Sequence, residues 1–140
     1  MKKVNLCISE NDSISDFFNV SVSQIDSVPN GSIENINVAI INGLEYEEAK
    51  NILIQSLKKL KNEGLLTIEI LDILTVAKDI FYGSATSKSV SAVLSNIKSV
   101  FYEQEIIDIV TNFPQFKIQN RYKDNNNIVM VVYKELKNAQ

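Results

Sequence analysis

Residues 36–71 read INVAIINGLEYEEAKNILIQSLKKLKNEGLLTIEIL. Residues 36–41 are an almost continuous apolar run, the pattern of a strand covered on both faces. Gly43 punctuates the run. Over 45–62 the apolar residues Ala49, Ile52, Leu57 and Leu60 recur at near-helical spacing, and Ile54 widens the stripe. Glu45, Glu47 and Glu48 at the start and Lys58, Lys59 and Lys61 at the end suit a helix dipole. Gly64 reads as the C-terminal cap. Residues 65–71 are a second buried strand. Strand, helix and strand in this order predict a right-handed βαβ unit with a parallel pair.

Toward the N-terminus, residues 3–8 (KVNLCI) read as a short buried strand. A polar loop over 9–18 leads into a helical turn capped by Asp12 or Ser13. Residues 19–22 (NVSV) are a second short strand, and 27–32 (SVPNGS) a turn. Toward the C-terminus, residues 72–98 are expected to be helical in two pieces broken near Gly83. Residues 102–112 form a helix that stops before Pro114. Residues 116–122 and 128–134 alternate around DNNN at 124–127 and predict an antiparallel hairpin. The tail from Glu135 is expected to fray. No repeat, low-complexity block or linker interrupts the chain, so residues 1–140 are read as a single domain.

Composition narrows the functions. The chain has 140 residues, 45% hydrophobic and 22% charged, with a net charge of −3. That suits one globular core and argues against a nucleic-acid partner, which needs a basic stripe. No apolar run approaches a membrane span, and the opening MKKVNLCISEND is too short in apolar residues for a signal peptide. Cys7 is the only cysteine, so no internal disulfide forms and the cytoplasm is the expected compartment. The absence of histidine removes Ser-His-Asp triads, Cys-His pairs and the usual zinc sites. Any general base is Asp, Glu, Tyr or Lys.

Four stretches carry a resemblance. VPNGSIENI at 28–36 is similar to a Pro-Asp-Gly-Ser-Ile-Asp turn, and GLEY at 43–46 to a Val-Leu-Glu-His segment. LKKLKNEGLLTIEILD at 57–72 is similar to a helix end, a Lys-Pro-Gly-Gly turn and a strand with an acidic terminus. SVFYEQEIIDIVTNF at 99–113 is similar to the approach to a last helix before a closing hairpin. In this order and spacing they resemble the class I S-adenosylmethionine-dependent methyltransferases. The resemblance implies an α/β fold: a reduced Rossmann-like, mostly parallel sheet with helices on both faces and a C-terminal antiparallel hairpin.

The N-terminal part departs from the family pattern. Where the family has a Gly-x-Gly loop after its first strand, Cys7 and Ser9 stand here. Glycine there permits close backbone approach to the cofactor. The position of the family's ribose-binding acid falls on Ser21, and that of its adenine contact on Gln24, with Asp26 nearby. The interval between residues 8 and 36 has room for one short strand and not for a full third strand with its helix.

The resemblance therefore implies S-adenosylmethionine as cofactor, with Cys7, Ser9, Ser21, Gln24, Asp26 and Tyr46 as its contacts. Glu10 and Asp12 would join a remodelled loop. Glu45 and Asp72 are the candidate bases, and a small molecule the acceptor. Each has a plainer reading: Cys7 a small buried residue, Asp26 a turn residue, Glu45 a helix-dipole acid, Asp72 a helix cap. Phe81, Tyr82, Phe101 and Tyr102 line an acceptor pocket or belong to the core or a partner contact. Two functions follow: methyl transfer that relies on positioning donor and acceptor in line, or a fold that has lost its cofactor and serves as a binding or assembly module. A shortened sheet leaves an edge for a second copy to cover, so a homodimer is expected.

Overall fold

The structure, a computed structural model, describes residues 2–136. Six strands form one sheet: β1 (Lys3–Cys7), β2 (Phe18–Ser21), β3 (Ile33–Val38), β4 (Leu60–Leu71), β5 (Phe116–Asp124) and β6 (Asn127–Lys134). Their order is β2-β1-β3-β4-β6-β5. The pairs β1–β2, β1–β3 and β3–β4 are parallel, while β6 is antiparallel to both β4 and β5. Four helices accompany the sheet: α1 (Tyr46–Lys59), α2 (Ile73–Phe81), α3 (Ser87–Leu94) and α4 (Glu103–Thr111). The α/β class, the βαβ unit and the C-terminal hairpin are as the sequence predicts.

The core lies on one face of the sheet. Register places Ile36, Leu66 and Val132 in line, and Val38, Ile68 and Met130 in the next row. All six are buried, and they form one cluster with Ala49, Ile52, Leu53 and Leu57 of α1 and Ile106 and Val110 of α4. Full burial of each such aliphatic side chain contributes about 1.5–3 kcal/mol, so this α1/α4 face dominates stability.

Among the described residues, the β1–β2 link supplies no α-helix to the opposite face. The opposite face presents Asn35, Asn37, Leu65, Thr67, Val131 and Tyr133, each half-buried, beside the buried Asn5, Leu71 and Val129. Neither α2 nor α3 packs extensively on any strand. The cause is the brevity of the link between β1 and β2. Residues 8–17 hold only a 3-10 turn, Glu10–Asp12, where a parallel crossover ordinarily carries a helix.

Several boundaries move. β3 runs from Ile33 to Val38 and not over 36–41, because Ile41–Gly43 is already a 3-10 turn. Gly64 is not a helix cap. α1 stops at Lys59 because Leu60, fully buried, already pairs with Ile33. Residues 61–64 then bulge out before Leu65 pairs with Asn35. The left-handed position there is Glu63, at φ 65°. The N-terminal turn is capped by Ser9, and Asp12 is its third residue, because the Asp12 carboxylate reaches back to the backbone. The fraying expected beyond Glu135 falls, from 137 on, outside the described residues.

Candidate functional site

In this sheet the chain leaves β1 for β2 on one side and returns to β3 on the other. That reversal opens a crevice at the C-terminal ends of β1 and β3, the place where open α/β sheets take ligands. A cleft of about 500 Å³ lies there. Ile8, Ser9, Asn11 and Asp12 form one wall, Ala39, Ile40 and Gly43 the floor, and Ser95, Asn96 and Lys98 the far wall. Asn42 fixes the far wall. Its carbonyl accepts the Lys98 N–H at 2.7 Å, its Nδ2 donates to the Ser99 carbonyl, and its Oδ1 accepts from Leu71 N–H at 2.8 Å.

The near wall is organised by asparagines. Asn5 is 1% exposed in the middle of β1. Its Nδ2 donates to the Asp12 carbonyl at 2.7 Å and to Asn19 Oδ1 at 2.9 Å, and its Oδ1 accepts from Asn37 Nδ2 at 2.9 Å. The loop after β1 is thus tied to strands on both sides of it. This holds Asp12 with Oδ2 accepting the N–H groups of Ile8 (2.8 Å) and Ser9 (3.0 Å). Ile8 reaches across the cleft, so close to Gly43 that a Cβ at 43 would meet its Cδ1 at 2.9 Å. Asn5, Asn19 and Asn37 were not singled out in the sequence. The signal was there: amide side chains inside otherwise apolar strand runs must find buried partners.

Of the residues implied by the resemblance, Ser9 and Asp12 line the cleft. Cys7, the last residue of β1, is buried and does not line it. Burial, and then the nearby Asp12 carboxylate, push its thiol above the usual value, so it stays protonated. The others stand apart. Ser21 Oγ caps the 3-10 turn Val22–Ser27 and lies 3.0 Å from Ser23 Oγ. Gln24 accepts from Ser27 Oγ through its carbonyl, and Asp26 from Lys59 Nζ through its carbonyl. Tyr46 stacks on Phe101 with centroids 4.8 Å apart and donates to Glu105 Oε2 at 2.9 Å. Glu45 precedes α1 without a side-chain capping bond.

Asp72 lies elsewhere, at the end of β4, where it caps α2. Thr75 donates to it through Oγ1 at 2.6 Å and through N–H at 3.4 Å, and Lys123 Nζ is 3.2 Å away. Burial alone would raise its carboxyl, but these donors outweigh burial and hold it below the usual range. It is an ionised cap, poorly suited to take a proton. Asp72→Ala is expected to cost about 1 kcal/mol at neutral pH, the worth of a cap. A pKa lower in the folded state gives stability above the unfolded value of about 3.9, lost as pH falls through the folded value. The wild-type and variant stabilities, measured by urea unfolding, should therefore converge as the pH falls below the unfolded value. A gap that stays constant over that range contradicts this role.

S-adenosylmethionine presents a carboxylate, an ammonium, a ribose diol and an adenine. The residues present do not fit it. The two loop N–H groups that would accept an anion already bond Asp12. The loop from Ile8 to Phe17 has no glycine, and Ile8 crosses the space. The end of β2 offers a serine hydroxyl, already bonded to Ser23, in place of a carboxylate for the diol.

No family model and no curated protein sequence matches the chain. Solved structures do. A SAM-dependent methyltransferase from Archaeoglobus fulgidus superposes with TM-score 0.63 at 10% identity, over 94% of this chain and 75% of that one. An O-methyltransferase family protein from Burkholderia thailandensis gives 0.64 at 10% identity, over 96% and 43%. A SAM-dependent methyltransferase from Methanosarcina mazei gives 0.60 at 11% identity, over 97% and 83%. The fold is therefore that of the class I methyltransferases, with no substrate or activity carried by the likeness.

Proposed function

We propose that this chain is a methyltransferase-fold binding and assembly module that does not use S-adenosylmethionine. The observation that carries the reading is the Asp12 carboxylate on the Ile8 and Ser9 amides. The chain supplies its own anion where a cofactor loop would leave those donors open. The cleft keeps a volume suited to a small polar molecule, between Asp12 on one wall and Lys98 on the other. The cytoplasm suits its single free cysteine. Thermal unfolding with millimolar S-adenosylmethionine tests the reading. The midpoint should not move, and a rise of about 4 °C or more, the effect of a ligand well above its Kd, contradicts it.

The assembly part rests on the half-exposed sheet face. Parallel sheets are ordinarily covered on both faces. A second copy is proposed to cover Leu65, Val131 and Tyr133, with Tyr122 at the edge, packing sheet on sheet. Light scattering should give twice the chain mass. Val131→Lys should give a monomer with unchanged circular dichroism. A wild-type monomer at every concentration contradicts the proposal.

A second reading, a methyltransferase acting on a small-molecule acceptor, is favoured by the position of the cleft at the sheet reversal. Neither Glu45 nor Asp72 lines that cleft. Transfer there would rest on positioning alone.

A further inference from the structure

We propose that a second cavity, between the end of β4, the first turn of α4 and strand β5, binds a small organic anion with an apolar body, of the aromatic carboxylate class. It measures about 310 Å³, at the small end of ligand sites. Its floor is apolar: Leu71, Phe101 and Ile128 line it and are all buried. Its rim carries three cations, Lys78, Arg121 and Lys123, against two acids, Asp72 and Glu103.

The pairing decides the sign of the ligand. Arg121 grips both oxygens of Glu103, through Nε and a terminal guanidinium nitrogen. Both oxygens of Asp72 are taken by Thr75, and one also by Lys123. Each of the four carboxylate oxygens already accepts from a donor, so the charges of the two acids are largely offset within the rim. Lys78 has no ion pair among the described residues, and Lys123 has ammonium hydrogens to spare. The rim therefore carries one unneutralised positive charge in a chain of net charge −3. α2 and α4 both begin at the cavity and add their positive ends. A carboxylate at the rim would meet Lys78 and Lys123, and its ring or chain would lie against Leu74 and Tyr102, the exposed apolar side chains of the lining. The proposal uses none of the residues of the β1/β3 cleft, so it stands or falls separately from the reading of that cleft.

Benzoate is the probe, followed by amide shifts in ¹H–¹⁵N spectra of the full chain, with benzylammonium as the cation of matching shape. Saturable shifts are expected for Leu74, Gln104 and Lys123 with benzoate and not with benzylammonium. Lys78→Gln, an exposed substitution, should weaken benzoate about fivefold, the worth of one partly screened ionic contact. Lys88→Gln on α3 should leave it unchanged. Absence of saturation, equal binding of benzylammonium, or an unaltered affinity in Lys78→Gln each overturns the proposal.

Discussion

Phe101→Ala is expected to lower the unfolding free energy by about 3–5 kcal/mol, the cost of emptying a buried aromatic site. Phe101 is 1% exposed and belongs to the main core cluster. It also supports Tyr46, whose ring lies nearly parallel to it at 12°. Offset stacking of this kind adds about 0.5–1.5 kcal/mol beyond area burial. Domains of this size are stable by only about 5–15 kcal/mol, so the variant should sit close to unfolding at room temperature. Urea titration measures the loss. Phe101→Leu, which keeps most of the volume, should recover more than half of it. A loss below about 1 kcal/mol for the alanine variant would show a site that collapses around the gap, contrary to a packed junction of α1, α4 and the sheet.

Gly64→Ala is the second large effect, with a cost of about 2–3 kcal/mol by overpacking. A Cβ at 64 would stand 2.7 Å from the Lys61 carbonyl oxygen and 2.8 Å from that of Glu34. Both are backbone atoms, fixed by the bulge and by strand β3, so neither yields as a side-chain tip does. Gly31 makes the useful contrast. It has open space around its Cβ direction but sits at φ +68°. Gly31→Ala should cost about 1 kcal/mol, from backbone conformation alone. Chemical denaturation of both variants checks the order. If Gly31→Ala proves the more damaging, the close approach at Gly64 is not as described.

What could be read from the sequence follows from where the signals are local. The run at 65–71 and the stripe Ala49, Ile52, Leu57 carry their own periodicity, so the βαβ unit was legible. The break at Gly83 was legible too, since α2 ends just before it with Gly83 at φ +70°. The lack of a full third strand with its helix was legible as a shortage of residues between β1 and β3, while the helix missing from the β1–β2 link was not. The end of α1 was not. Lys58 to Asn62 continue a helical composition, and only the tertiary pairing of Leu60 with Ile33 ends the helix early.

The site was half legible for a similar reason. The loop after β1 could be placed from its lack of glycine. That Asp12 turns back on it depends on Asn5 bridging to Asn19 and Asn37, three residues that meet only when β2, β1 and β3 lie side by side. Ser21, Gln24 and Asp26 were assigned by position in a pattern. The shortened link after β2 forms a 3-10 turn that uses Ser21 Oγ as its cap, while Gln24 and Asp26 accept through their backbone carbonyls. Tyr46 and Asp72 likewise have neighbours, Glu105 and Lys123, from distant parts of the chain.

On the proposed function, Asp12 closes the loop amides and S-adenosylmethionine finds no seat. Titration calorimetry of the full chain with S-adenosylmethionine tests it most directly. No saturable heat is expected up to millimolar ligand. Stoichiometric binding in the micromolar range would contradict it.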